Sequence, residues 1–234
     1  QPHKNAFIAS QAAEAASRLE IELVKEPIGK QDQYAAAYGG FNIFQFNPDH
    51  SVEVTPLLLD YKRKLDLEDH ILLFFNWITR ETASVLTEQK ANIPEKLETL
   101  KEMAAAVNQF RDLLLAEDFA GLGQLLHTHW LKKKSLASNI SNLVIDNLYA
   151  AGLKGGSWGG KVLGAGGGGC LLFLVDPSGK DSVREAVGRS ARKNQLEHFN
   201  EIPVKFVQSG VEIIVNTEPI RSEIEAEKKY AGIH

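Results

Sequence analysis

The spacing of apolar residues along this chain predicts a mixture of helices and strands. Residues 6–23 place an apolar side chain every three to four positions, which is the period of a helix that buries one face. The same period runs through residues 97–116 and predicts a longer amphipathic helix there. Shorter stretches of this kind predict helices at 81–92, 119–135, 140–151 and 181–197.

Strands are predicted where apolar and polar residues alternate, or where short apolar runs are uninterrupted. Residues 41–46 alternate, and Asn47-Pro48-Asp49 turns the chain towards 52–54, so these stretches predict a β-hairpin. The other predicted strands are 71–75, 161–163 and 170–175, with a second hairpin made of 204–207 and 211–215. This irregular order predicts an α+β fold, with helices on one face of a largely antiparallel sheet.

Two domains are expected. The chain has 234 residues, enough for one large domain or two modest ones. Residues 57–67 are charged and follow no clear period, which makes them the expected boundary. The first domain is therefore predicted at residues 1–60 and the second at residues 61–234.

Composition narrows the class of protein. A net charge of -4 and a pI near 6.0 do not favour nucleic-acid binding, which needs a basic face. No apolar run approaches the roughly 20 residues that span a bilayer, so no membrane partner is expected. The single cysteine is typical of a reducing compartment, and a cytoplasmic location is expected.

Four consecutive glycines, Gly166–Gly169, lie directly before the strand predicted at 170–175. Glycine permits positive φ and a close approach to the main chain, so the tract predicts a loop packed on a ligand or on another backbone. No Gly-Lys-Ser/Thr follows it, so it is not a Walker loop, and the strand after it excludes the dinucleotide fingerprint. The remaining interpretation of the tract is a glycine turn whose N–H groups hold an oxyanion.

Carboxylates near the first helix are the next candidates for chemistry. Asp32 follows a helix break, where it is either a turn or capping residue or a general base that accepts a proton from an alcohol. Glu20, with Glu22 nearby, is either a solvated charge or, if it points at Asp32, part of a Mg²⁺ site with a phosphate.

Basic side chains form a third group. Arg80 follows the end of a predicted strand, a position where loops often present phosphate-binding groups. His127 and His129 are two residues apart on a predicted helix and do not share a face, which disfavours a metal pair. The triplet Lys132–Lys134 is most simply a solvated helix face.

Two stretches resemble the GHMP kinases. Leu163–Cys170 resembles the third signature of that superfamily. Glu26–Asn42 is similar to the bacterial D-glycero-D-manno-heptose 7-phosphate kinases and to the kinase domain of L-fucokinases. Further stretches that resemble this subfamily are 78–80, 133–136 and 158–162.

The resemblance implies a two-domain fold, in which the remnant of a ribosomal S5 domain 2-like domain precedes a ferredoxin-like α/β sandwich. It implies an ATP-dependent kinase with Mg²⁺ that phosphorylates the anomeric hydroxyl of a heptose 7-phosphate, for nucleotide-activated heptose biosynthesis. Asp32 matches the catalytic base and Glu20 the Mg²⁺ ligand. The residues expected near the nucleotide are Gly164, Ala165, Gly166, Gly167 and Gly168. The residues expected at the sugar phosphate are Gly29, Lys30, Gln33, Tyr34, Arg80 and Lys134.

Other readings stay open. Residues 1–234 resemble the last two thirds of such an enzyme, without its nucleotide-phosphate loop, and this segment alone is expected to be close to inactive. One alternative is an L-fucokinase-like kinase for an unphosphorylated sugar, and another is a non-catalytic sugar- or nucleotide-binding subunit. A homodimer is compatible with each. Asn76-Trp77 departs from the pattern, which has small residues before Ile78.

Overall fold

The computed structural model describes residues 8–78 and 82–212. Its amino-terminal part is a small layer of helices on a hairpin. The elements of this layer are α1 (Ala9–Arg18), a π-helical turn (Leu19–Leu23), α2 (Gln31–Tyr38), β1 (Asn42–Phe46) and β2 (Val52–Pro56).

The remaining elements build a larger α+β unit around one sheet. They are α3 (Tyr61–Asp69), β3 (Ile71–Phe75), α4 (Thr82–Ala91), α5 (Ile93–Leu115), α6 (Phe119–Lys134), α7 (Leu143–Lys154), β4 (Gly159–Val162), β5 (Cys170–Leu174), α8 (Lys180–Lys193) and β6 (Asn200–Glu201). When the π-helical turn is counted with α1, the ends of the predicted helices lie within four residues of the observed ends.

Alternation of side chains divides the sheet into two faces. The strand order is β4-β5-β3-β6, and every pair is antiparallel, with Leu73 opposite Leu172 at the centre. Leu72 and Phe173 lie in a core with α7 and α8, whereas Leu174 lies in a second core with α3 and α6. Helices therefore cover both faces of the sheet, whereas the sequence pattern predicted helices on one face.

A further prediction is corrected by the structure. The second hairpin was expected at 204–207 and 211–215, but residues 204–212 form no strand, and 213–215 lie outside the described residues. The sheet instead ends in the short strand β6, which pairs with β3 at Phe75. The stretch 57–67, which follows no clear period in the sequence, contains most of the helix α3, because the Asp60 carboxylate caps the Arg63 N–H at 2.8 Å. The expected division of the chain near residue 60 stays a prediction.

The segment 204–212 returns to the amino-terminal layer. The Phe206 ring packs on Phe41 with centroids 4.7 Å apart, and the Val211 N–H donates to the Ala37 carbonyl at 3.2 Å. This contact holds α2 against the larger unit. Within the described ranges, no helix has the length and apolar character needed to cross a membrane.

Candidate active site

Glu20 and Asp32 line the same pocket, a concave space of about 440 Å³ between α1, α2 and Val211. Asp32 is the second residue of α2 and lies in its first turn, where a carboxylate interacts favourably with the helix dipole. Glu20 lies in the π-helical turn that continues α1, and such turns are frequent at functional sites. The carboxylate pair considered from the sequence is thus brought together by the packing of α1 on α2.

The structure separates Glu20 from Glu22. Glu22 is exposed and pairs with Arg18 at 3.2 Å, so its charge is offset outside the pocket. Within residues 8–78 and 82–212, neither Glu20 nor Asp32 has a hydrogen-bond or ion-pair partner for its carboxylate. The pocket also contains Gln33, whose side-chain carbonyl oxygen is buried without a donor.

These oxygen atoms fit a small hard cation. Mg²⁺ is usually held by one or two carboxylates, and waters or phosphates complete its coordination. Glu20 and Asp32 supply two carboxylates without a competing cation, and no group of three or more metal-ligating side chains exists in the described part of the chain. The pocket therefore suits a cation that shares its ligands with a phosphate.

Lys30 and Tyr34 are both bound by Glu14 of α1. The Lys30 ammonium lies 3.0 Å from the Glu14 carboxylate and 3.3 Å from the His50 carbonyl oxygen. The buried Tyr34 hydroxyl donates to the same carboxylate. This contact, followed by Lys30, holds the pKa of Glu14 below its usual range, while burial and then Glu14 raise the pKa of Tyr34. Lys30 and Tyr34, both predicted to contact the sugar, are thus held by hydrogen bonds to another residue of the protein.

Replacing Glu14 by Gln is expected to reduce stability above about pH 5 and to matter less in acid. The folded pKa of Glu14 is lowered, so its contribution is complete above the unfolded value of about 4.5 and is lost as the pH falls through the folded value. The measurement is the difference in melting temperature between wild type and Glu14→Gln from neutral pH to about pH 3. Glu26→Gln, at an exposed carboxylate, is the control and is expected to give a flat difference. If the difference in melting temperature between wild type and Glu14→Gln did not change with pH, the lowered pKa of Glu14 would be contradicted.

Gly29 and Lys30 border a neighbouring pocket between α2 and the hairpin. Its other walls include Phe46, Asn47 and His50. This pocket has a volume of about 370 Å³. Residues at the start of α2 line both this pocket and the pocket of Asp32. The predicted residues around Asp32 are therefore divided between two adjoining surfaces.

The glycine tract packs on other backbone segments. Gly166 and Gly167 have positive φ values of 100° and 72°. A Cβ at Gly168 would overlap the Ile78 carbonyl oxygen, and the Gly167 N–H donates to the Ile140 carbonyl. The sequence left two interpretations of the tract, a loop packed on a ligand or a loop packed on another backbone segment. The structure shows packing on another backbone segment.

Some N–H groups of the glycine tract have no acceptor within the described part of the protein. The N–H groups of Gly167 and Gly169 are used inside the protein, by Ile140 and by Asn76 at 3.0 Å. In the described ranges, the N–H groups of Ala165, Gly166 and Gly168 donate to no protein acceptor. The adjacent N–H groups of Ala165 and Gly166 can hold phosphate oxygens in a glycine turn, so the residues present are compatible with a nucleotide phosphate.

Asn76 is a structural residue that the sequence reasoning did not identify. Its side chain is fully buried, and its carbonyl oxygen accepts from the Gly169 and Ile78 N–H groups, each at 3.0 Å. Its backbone N–H donates to the Gly169 carbonyl at 3.0 Å. Asn76 therefore ties the end of β3 to the glycine tract. The polar residue after the apolar run Ile71–Phe75 was the available signal.

The predicted basic contacts lie elsewhere or are already paired. Arg80 lies outside the described residues. Lys134 forms an ion pair with Asp146 at 2.9 Å. None of the tract residues lines the pocket of Glu20 and Asp32, so the two predicted halves of the site are separate surfaces in the described part of the chain.

The two histidines of α6 occupy different environments. The His127 imidazole Nδ1 lies 2.8 Å from the Tyr149 hydroxyl, which donates to the Gly160 carbonyl at 3.1 Å inside the core. His129 lines a separate pocket together with Lys161. His127 is thus a half-buried residue with a hydrogen-bond partner, and the two histidines do not converge on one point.

Residues 110–193 match the model of the GHMP kinases C-terminal domain. This stretch is a GHMP kinases C-terminal domain, which confirms the resemblance of Leu163–Cys170 to that superfamily.

Within that family, the chain is similar to a sugar kinase of Campylobacter jejuni. It is 32% identical over 195 residues to the D-glycero-alpha-D-manno-heptose 7-phosphate kinase of that organism, covering 81% of this chain and 58% of the relative. The Thermococcus kodakarensis galactokinase is 27% identical over 82% of this chain and 60% of its own length. The chain thus spans about three fifths of the length of these two relatives.

A solved structure supports the fold. The crystal structure of Lactococcus lactis galactokinase complexed with galactose matches 88% of this chain and 61% of its own chain, with a TM-score of 0.64 and 17% identity. The predicted α+β class and the GHMP kinase-like fold are confirmed.

Proposed function

We propose that this protein acts in ATP-dependent phosphorylation of a sugar, with the anomeric hydroxyl of a heptose 7-phosphate as acceptor. The observation that carries the proposal is the shared pocket of Glu20 and Asp32, whose carboxylates lack protein partners in the described part of the chain. The similarity to the heptose 7-phosphate kinase supports the choice of sugar. The division of the chain near residue 60 is part of the proposal.

Asp32 is the proposed base. Its carboxylate is exposed and free, so it can accept the proton of a sugar hydroxyl that lies in the pocket. Phosphoryl transfer depends mainly on positioning and on neutralising charge. Glu20 would hold a Mg²⁺ ion, which when bound offsets the negative charge of the phosphates. Glu14 keeps Lys30 and Tyr34 in place, and both flank Asp32 in sequence.

The glycine tract is the proposed contact to ATP. Its free N–H groups at Ala165, Gly166 and Gly168 can donate to phosphate oxygens. Its bonds to Asn76 and Ile140 keep that part of the backbone in one conformation. The tract does not line the Asp32 pocket, so the proposal requires ATP to reach from one surface towards the other.

The ion pairs of the lysines expected at the sugar phosphate favour testing a second acceptor, an unphosphorylated sugar. Two lysines expected at the sugar phosphate are neutralised, Lys30 by Glu14 and Lys134 by Asp146. An Arg or Lys cation strengthens the binding of a phosphate group, and neither of these lysines can supply that contact without giving up its ion pair. The chain is also similar to the bifunctional fucokinase/GDP-fucose pyrophosphorylase of Arabidopsis thaliana, with 25% identity over 76% of this chain and 16% of the relative. This similarity supports testing an unphosphorylated sugar.

A substrate comparison tests the proposal. The full-length gene product is assayed for ADP release with Mg-ATP and either heptose 7-phosphate, the same heptose without its phosphate, or L-fucose. We expect kcat/KM for heptose 7-phosphate to exceed the others by at least tenfold. A preference for an unphosphorylated sugar would select the second acceptor. No turnover with any sugar would refute the kinase proposal and favour a non-catalytic binding subunit.

A further inference from the structure

A pocket of about 410 Å³ lies between α5, α6 and the sheet. It has no lining residue in common with the pocket of Glu20 and Asp32. Its volume is within the range of roughly 300–1,000 Å³ that is typical of small-molecule sites. No step of the proposed phosphorylation uses it.

The walls of this pocket are mostly apolar. α5 contributes Met103, Val107 and Phe110, while the sheet contributes Leu163 and Leu172 from the end of β4 and from β5. Val107 and Phe110 remain 43% and 36% exposed, although both face a concave surface. Exposed apolar area in a pocket lowers the free energy when an apolar ligand covers it. The shape therefore favours a ligand with an apolar body.

Lys161 brings a positive charge into these walls. Along β4, Val162 points into the core, so the preceding side chain points to the opposite face and lines the pocket. Across residues 8–78 and 82–212 the Lys161 ammonium has no hydrogen-bond or ion-pair partner. Burial lowers the pKa of Lys161, and no nearby carboxylate offsets that effect. A desolvated ammonium without a partner is costly, and an anion would relieve that cost.

His129 lies in the same wall, where its imidazole N–H can donate a hydrogen bond to an anion. Burial first, and then the positive charges of Lys132 and Lys161, lower the pKa of His129. Glu102 is bound to Lys132 at 2.7 Å and does not line the pocket. The lining contains no acidic side chain, so the pocket complements a negative charge.

We propose that this pocket binds a small amphiphilic carboxylate, such as a medium-chain fatty acid. The carboxylate contacts Lys161 and His129, and the alkyl chain lies along the apolar face of α5. This site does not depend on the proposed kinase function.

Calorimetric titration of the purified chain with decanoate, below its micelle concentration, tests the proposal. We expect saturable binding of one decanoate, with decanol and butyrate each at least tenfold weaker. Decanol has the chain without the charge, and butyrate has the charge without the chain. Absence of saturable binding, or equal affinity for decanol and decanoate, would overturn the proposal.

Two variants separate the charge from the cavity. Lys161→Met keeps an apolar side chain and removes the ammonium, so we expect a higher melting temperature without ligand and at least tenfold weaker decanoate binding. Ala106→Phe fills the cavity from α5 and is expected to block binding while Lys161 remains. Lys154→Met, at an exposed lysine outside the pocket, is the matched control and should bind normally. Unchanged affinity in both pocket variants would show that decanoate binds elsewhere and would reject the site.

Discussion

Asp32→Asn in the full-length gene product is expected to lower kcat by two to four orders of magnitude while the protein stays folded. General-base catalysis contributes roughly 10²–10⁴-fold, and an amide cannot accept the proton of the sugar hydroxyl at neutral pH. The Asp32 side chain is exposed and makes no contact on which the described fold depends. The measurements are ADP release in a coupled assay and thermal unfolding by circular dichroism.

Glu22→Gln is the matched control for this experiment. Glu22 is a neighbouring carboxylate that pairs with Arg18 outside the pocket, so turnover should stay near the wild-type value. Near-normal turnover of Asp32→Asn would remove Asp32 from the mechanism. Equal losses in both variants would instead indicate a general effect of negative charge at this end of the molecule.

Gly168→Ala is expected to destabilise the fold by about 1–3 kcal/mol, the usual cost of forcing extra volume into a packed site. A Cβ at this position would overlap the Ile78 carbonyl oxygen and lie 3.1 Å from the carbonyl carbon. Both partners are backbone and cannot rotate away, so the tract or the end of β3 must shift. The adjoining bond between Asn76 and Gly169 would be strained by that shift.

Thermal unfolding measures this effect. For a chain of this size, the expected loss corresponds to a melting temperature lower by roughly 2–12 °C. Gly188→Ala in α8 is the control, since the nearest atom to its Cβ would be Arg192 Nη1 at 3.6 Å. Alanine in a helix interior is favoured over glycine by roughly 0.5–1 kcal/mol, so this variant should be stabilised. An unchanged melting temperature for Gly168→Ala would show that the tract is a loose turn.

Much of the fold could be predicted from local patterns. The periods in 6–23 and 97–116 predicted α1 and α5, and the run Ile71–Phe75 predicted β3. α3 was missed because its charged residues hide a helix that is stabilised by the Asp60 cap and by packing of Leu67. β6 was missed because two residues carry no period, and their strand character comes from pairing with β3.

The candidate site was predictable in part. Asp32 and Glu20 were singled out because they flank a helix break, and the packing of α1 on α2 brings both to one pocket. Lys30 and Lys134 were expected to be open cations because the sequence shows their charge but not their partners. Glu14 and Asp146 neutralise them in the folded chain, and they lie 16 and 12 residues away from Lys30 and Lys134 in sequence.

The sequence by itself determined most of the helices, the first hairpin, the central strands and the glycine tract, because each depends on the local period of apolar residues or on the backbone freedom of glycine. The tertiary structure alone decided that Asn76 binds the tract, that Glu14 holds Lys30 and Tyr34, and that Lys161 enters an apolar pocket. These contacts join residues that are distant along the chain, and their free energy depends on the order of the strands and the packing of the helices, which no local pattern contains.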